Sequence, residues 1–148
     1  MIEEKYKALA GYLESAIGIV RKMGLKVLAM KDGYVKLQMP LKENVNHVGT
    51  MYAGSLFTLG EIMGGAIFVV CFDMNKYYPI VKDVQIRYRR PAQTDITVEL
   101  SMSAEQVKQL TAALEEKGKV DFPLELQLVD AAGEVVALVQ GIWQGRKK

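Results

Sequence analysis

Residues 46–70 read NHVGTMYAGSLFTLGEIMGGAIFVV, a polar loop running into a long apolar helix. From Met51 to about Val70 the apolar residues leave no polar stripe at helical spacing, so the helix is buried on most sides. In a chain of 148 residues, a sheet or a partner chain must wrap around it. Glu61 stands in the middle, among Leu59, Ile62, Met63, Ala66 and Ile67. A buried carboxylate costs several kcal/mol unless it is paired or protonated. Glu61 therefore reaches a polar opening, is held neutral or bonded to Thr58 one turn away, or does chemistry.

The segments on either side supply the wrapping. Upstream, Tyr6, Leu9, Ala10, Leu13, Ile17 and Val20 recur at three- and four-residue steps, which predicts one amphipathic helix from Ile2 to Met23, ended by Gly24. LKVLAM and YVKLQMPL flank Lys31-Asp32-Gly33 and read as a hairpin, with Val35, Leu37 and Met39 on its buried face. Leu41 to Thr50 is polar and irregular.

Downstream, IVKDVQIRYRR alternates Val84, Ile86 and Tyr88 against Gln85, Arg87 and Arg89. DITVELSMS reads as the next strand. AEQVKQLTAALEEKG is a short helix, and VDFPLELQLVD and VVALVQGIWQG form a closing hairpin around AAGE. The expected fold is α+β: an antiparallel sheet of about six strands curled around one buried helix, in a single domain covering 1–148.

Composition excludes several functions. The net charge of +2 is too small to argue for nucleic acid, and the basic end GRKK reads as a frayed terminus. One cysteine, Cys71, lies in the apolar run IFVVCF and allows no internal disulfide. With one histidine beside it, a Cys/His metal site is not expected. The N-terminus lacks the apolar core of a signal peptide. The run Leu56 to Phe72 contains Glu61, and its longest uncharged part, Ile62 to Phe72, is too short to span a bilayer. A cytoplasmic protein without membrane attachment is the expectation.

The run N-x-x-G-T-x-x-x-G-x-L-x-T-L-x-E, from Asn46 to Glu61, resembles the loop-and-helix motif of hotdog-fold acyl-CoA thioesterases, in the phenylacetyl-CoA-thioesterase-like branch. The likeness is closest to hotdog proteins with Tyr-Ala-Gly or Phe-Ala-Gly where the branch usually has His-Gly-Gly. It extends over the leading helix, the first hairpin, RYRRPA and LVDAAGEVVA. The resemblance implies that Asn46 orients the water or the substrate carbonyl. It implies that a backbone N–H at Ala53 or Gly54 stabilises the oxyanion, and that Glu61 acts as general base or nucleophile. Thr58 falls where a hydroxyl often precedes the carboxylate by a turn. Tyr52 replaces the usual His and Ala53 the first Gly. The implied assembly is a homodimer or a dimer of dimers with sites at the interface. Coenzyme A enters as part of an acyl-CoA substrate, with no separate cofactor.

Elementary chemistry points the same way. Thioester hydrolysis needs an activated water or a carboxylate nucleophile, and donors for a tetrahedral oxyanion. The first turn of a helix has unpaired N–H groups at the positive end of the dipole, and Gly54 would let substrate come close to them. Glu61 lies seven to eight residues further on, roughly 11 Å by helix rise, too far for one helix to serve one carbonyl. Two copies solve this if Glu61 of one faces Ala53, Gly54 and Asn46 of the other. An apolar site would also raise the Glu61 pKa toward neutrality, as a general base requires.

Other readings follow from individual residues. His47 precedes Glu61 by fourteen residues, an interval similar to that of hotdog hydroxyacyl-thioester dehydratases, although HVGTMYAGS lacks their prolines. A loop or dimer-contact role is the simpler reading of His47. Asn46 also suits a turn. Arg87 and Arg89 share one strand face and could hold the phosphates of coenzyme A, or could be a solvated face. Non-catalytic acyl-CoA binding is the alternative from a different class. The retained carboxylate speaks against it, and the missing His-Gly-Gly speaks for it.

Overall fold

The computed structural model describes all 148 residues. Six strands form one antiparallel sheet: β1 (Lys26–Lys31), β2 (Tyr34–Met39), β3 (Tyr77–Tyr88), β4 (Ile96–Ser101), β5 (Lys119–Val129) and β6 (Val135–Lys147). Their spatial order is β1-β2-β4-β5-β6-β3, with every neighbouring pair antiparallel. Four α-helices accompany them: α1 (Lys7–Ser15), α2 (Gly18–Met23), α3 (Ala53–Cys71) and α4 (Ala104–Lys117). Helix α3 lies in the curl of the sheet, and this is a hotdog fold, with the expected α+β class and strand number.

The packing of α3 explains why the sheet can close on it. A Cβ at Gly60 would come 2.7 Å from Val139, and one at Gly64 only 2.1 Å from the Trp143 indole nitrogen. Both side chains project from β6 into the space these glycines leave. The Trp143 indole then donates to the Glu61 carbonyl at 3.1 Å. Phe68 stacks between Phe72 and Phe122 below them, and α4 closes that end through Leu114. The length and mean hydropathy (1.7) of α3 would suit a membrane span, but most of it is covered by the chain itself.

Two expectations fail for identifiable reasons. The leading helix is broken, because Ile17 turns extended (φ −99°, ψ 115°) between α1 and α2. Near the break, the Ser15 hydroxyl bonds the Gly11 carbonyl and the Glu14 carboxylate accepts the Val27 N–H of β1. The Glu14 bond holds the end of α1 against β1, and past it Val20 enters the core while Ile17 is left exposed. The basic C-terminus is not frayed. Arg146 and Lys147 continue β6 between Tyr77–Tyr78 and Lys119, and Lys147 pairs with Glu115 at 2.7 Å. In the first hairpin only Gly33 takes positive φ (68°), and the Met102 carbonyl would lie 2.6 Å from a Cβ there.

Candidate active site

The start of α3 is fixed by a residue that motif reading passes over. Asn44 is buried, and its amide donates to the carbonyls of Met23 (2.8 Å) and Pro40 (2.7 Å). Its Oδ1 accepts the Ser55 hydroxyl at 2.8 Å, and its carbonyl accepts the Tyr52 N–H at 2.8 Å. One side chain thus ties the ends of α2 and β2 to the first turn of α3. The only sequence signal is a small polar pair, Asn44 and Ser55, around a helix start.

Asn46 is engaged in its own loop. Its Oδ1 accepts the N–H groups of Val48 (2.9 Å) and Thr50 (3.1 Å), and its Nδ2 donates to the Thr50 hydroxyl at 3.0 Å. That is the turn role named above; one Nδ2 hydrogen remains available for a substrate or water.

Tyr52 precedes α3 with extended backbone (φ −57°, ψ 135°), and the N–H groups of Ser55 and Leu56 both bond to its carbonyl. No side chain caps the helix, and the N–H groups of Ala53 and Gly54 have no partner within the chain. These are two free donors at the positive helix end. The opening at Gly54 is not empty, however. A Cβ there would meet the Tyr52 ring at 2.4 Å, so this chain's own ring lies where close substrate approach was expected. The Tyr88 hydroxyl donates to the Ala53 carbonyl at 3.0 Å, and burial followed by the proximity of Tyr52 raises its pKa.

Glu61 follows two turns later on the same stripe, with Gly54, Phe57, Thr58 and Gly65. These positions are exposed or half-buried, whereas their neighbours on the helix face the sheet. The Glu61 carboxyl is held above its ordinary pKa, and burial is the whole cause; no charge or hydrogen bond offsets it. Thr58 donates to the Gly54 carbonyl at 2.8 Å, so its proton is committed to the helix backbone. Phe57, Thr58 and Glu61 form one wall of a cleft of about 330 Å³; the other wall is 81–84 of β3.

The remaining candidates lie elsewhere. His47, Asn46 and Tyr52 line a second cleft of about 360 Å³ with Ile19, Lys22 and Glu43, and Glu61 is not part of it. Within one chain, His47 and Glu61 are not brought together. Arg87 projects from the sheet face away from α3, because its neighbour Ile86 pairs with Val139, which meets Gly60. Arg89 follows the end of β3 and is exposed. Arg87 instead lines a cleft of about 710 Å³ on that outer face. No three His, Cys, Asp or Glu side chains cluster as metal ligands. The Cys71 thiol is pushed up to about 11, first by burial and then by Asp32, so it stays protonated.

Strand β3 flanks the open stripe and ends the sheet. It pairs only with β6, and Ile80, Val81 and Tyr88 on it are exposed. This edge strand, with Lys82, Asp83 and Arg87 between its apolar residues, lies beside the open helix stripe.

Comparison with known proteins gives the family. A family model named YiiD_C and described as "Putative thioesterase" matches residues 6–144. The solved structure of a Pseudomonas aeruginosa protein described as a "Probable Thioesterase" is 45% identical, with 96% of this chain and 95% of that one covered and a TM-score of 0.91. A "putative thioesterase" from Shewanella oneidensis shares the fold at 24% identity, with 96% and 97% covered and a TM-score of 0.80. A thioesterase from Haemophilus influenzae shares it at 11% identity, with 94% and 88% covered and a TM-score of 0.72. No curated protein matches the sequence.

Proposed function

We propose an acyl-CoA thioesterase with interfacial sites, on the premise that the chain belongs to the YiiD_C family described as "Putative thioesterase". One observation carries the reading. A desolvated carboxyl without a partner and two free N–H donors share one uncovered helix stripe, two turns apart. Neither is satisfied inside the chain, and their separation is too great for one carbonyl. A second copy, paired through the β3 edge with its α3 antiparallel, brings Glu61 of each chain to Ala53 and Gly54 of the other.

In that site Glu61 takes a proton from water while the water oxygen bonds to the thioester carbon. The carbonyl oxygen becomes an oxyanion held by the Ala53 and Gly54 N–H groups. As the tetrahedral intermediate collapses, the carbon–sulfur bond breaks and Glu61 returns its proton to the departing thiolate. The products are an acid and a free thiol. The raised pKa of Glu61 makes it a stronger base than an exposed glutamate, at the cost of requiring higher pH to be ionised.

The test is thiol release from short-, medium- and long-chain and aryl acyl-CoAs, comparing the protein with Glu61→Gln. The substitution keeps shape and removes the base, and loss of about 10²–10⁴ in rate is expected. A folded Glu61→Gln that retains full activity contradicts the assignment. The Tyr52 ring beside Gly54 favours a second reading, an acyl-CoA binder that hydrolyses nothing. Binding without turnover by the unmodified protein would establish that reading.

A further inference from the structure

We infer that Tyr88 is a positioning residue for thioester hydrolysis: its hydroxyl holds and polarises the peptide unit whose N–H, on Gly54, stabilises the oxyanion. The inference rests on the interfacial site proposed above and adds to it a residue that lies outside the motif from Asn46 to Glu61.

Strand alternation brings Tyr88 there. Val84, Ile86 and Tyr88 share the face of β3 turned toward α3, where Ile86 pairs with Val139 and Tyr88 with Ala137. Val139 packs on Gly60, and Tyr88, at the end of the strand, reaches the start of the helix. A phenylalanine would cover the same surface, so packing accounts for the ring and leaves the hydroxyl to be explained. That hydroxyl donates to the Ala53 carbonyl at 3.0 Å.

The bond is the wrong kind for a cap. The first turn of a helix lacks acceptors for its N–H groups, whereas its carbonyls are engaged by the helix itself. A capping side chain accepts a hydrogen bond. Tyr88 donates one, to a carbonyl with a second lone pair beyond the one the helix uses. Ala53 and Gly54 are joined by one trans peptide, in which C=O and N–H point in opposite directions. Tyr88 therefore approaches from the C=O side and leaves the Gly54 N–H open, and that N–H has no partner within the chain.

A hydrogen bond accepted by a peptide carbonyl draws charge from the nitrogen and strengthens its N–H as a donor, by about 10–30% per bond. It also fixes the plane of the peptide, so the donor is aimed before substrate arrives. The other free donor, the Ala53 N–H, belongs to a peptide whose carbonyl, on Tyr52, accepts the N–H groups of Ser55 and Leu56. Both donors thus come from peptides held at the carbonyl, one by the backbone and one by Tyr88. Thr58 makes a similar bond one peptide later, but the N–H of that peptide, on Ser55, is already spent on Tyr52. Only the tyrosine acts on a peptide whose N–H is free.

The experiment compares the full chain with Tyr88→Phe on the acyl-CoA that the unmodified protein hydrolyses fastest, and follows the Gly54 amide nitrogen by NMR in both. A donor worth about 10²–10³ in kcat, weakened by about 10–30%, predicts a fall of about two- to eightfold in kcat. KM should stay unchanged, because the bond matters where charge develops on the oxygen. The Gly54 nitrogen resonance should move upfield as its peptide loses the donor, and this readout needs no turnover. Unchanged kcat in Tyr88→Phe, or a change confined to KM, overturns the inference and leaves the thioesterase reading intact. A lower melting temperature with kcat retained does the same, since it makes the hydroxyl purely structural. An unmoved Gly54 resonance overturns it as well. No turnover of any acyl-CoA by the unmodified protein removes the thioesterase reading and this inference with it.

Discussion

The two sides of α3 solve opposite problems. Toward the sheet, Gly60 and Gly64 are bare because Val139 and Trp143 fill the space, and the Trp143 indole caps the fit with a hydrogen bond to the Glu61 carbonyl. Away from the sheet, Gly65 is bare with nothing near it, Glu61 has no partner, and two amides stay free. The same helix therefore carries one face completed by its own chain and one that is not.

Substitution at adjacent glycines breaks that comparison most sharply. Gly64→Ala drives a methyl into Trp143 and should destabilise the chain by about 1–3 kcal/mol, despite better helix propensity. Gly65→Ala meets nothing of its own chain and should stabilise the helix within one subunit by up to about 1 kcal/mol. Urea denaturation of the two variants gives opposite signs if the faces differ as described.

The two asparagines near the helix start sharpen the contrast. Asn44→Ala removes three buried side-chain hydrogen bonds and should cost about 2–3 kcal/mol, whereas Asn46→Ala loosens a surface turn for about 1 kcal/mol or less. Thermal unfolding orders them. For turnover the ranking reverses: Asn46→Ala lowers kcat at unchanged fold if its remaining Nδ2 hydrogen contacts substrate.

Glu61 has a pH signature of smaller size. Its folded pKa lies above the unfolded value, so between the two the folded chain binds more protons and stability falls as pH rises. The penalty is absent below the unfolded pKa and complete above the folded one. Glu61→Gln should flatten that slope and melt higher than the parent at neutral pH. Parallel slopes in the two proteins would mean that the carboxyl is as well solvated as in the unfolded chain.

Periodicity made much of this legible. The alternation of Val84 and Ile86, the Asp32-Gly33 turn and the apolar run of α3 on either side of Glu61 depend on local pattern, and each appears where it was expected, while Tyr88 at the strand's end is exposed. The break at Ile17 depends on Glu14 reaching β1, and the ordered C-terminus depends on pairing with strands far away in sequence. Neither leaves a local trace. The motif from Asn46 to Glu61 located the helix start and the carboxyl, but not the Tyr52 ring over Gly54. A ring's direction is a tertiary outcome, and Asn44 escaped for the same reason.

Subunit complementation tests the central claim most directly. Ala53→Pro removes one oxyanion donor at the first helical position, where proline is tolerated and the extended Tyr52 backbone already suits it. Alone it should lower turnover by about 10²–10³. Mixed with Glu61→Gln subunits, it should regain activity, because each mixed dimer places both defects in one site and leaves the other intact. Recovery approaching half of the parent's activity per mixed dimer is the predicted result. Mixed dimers as inactive as either parent variant would put Glu61 and the helix amides in the same subunit's site and contradict the account.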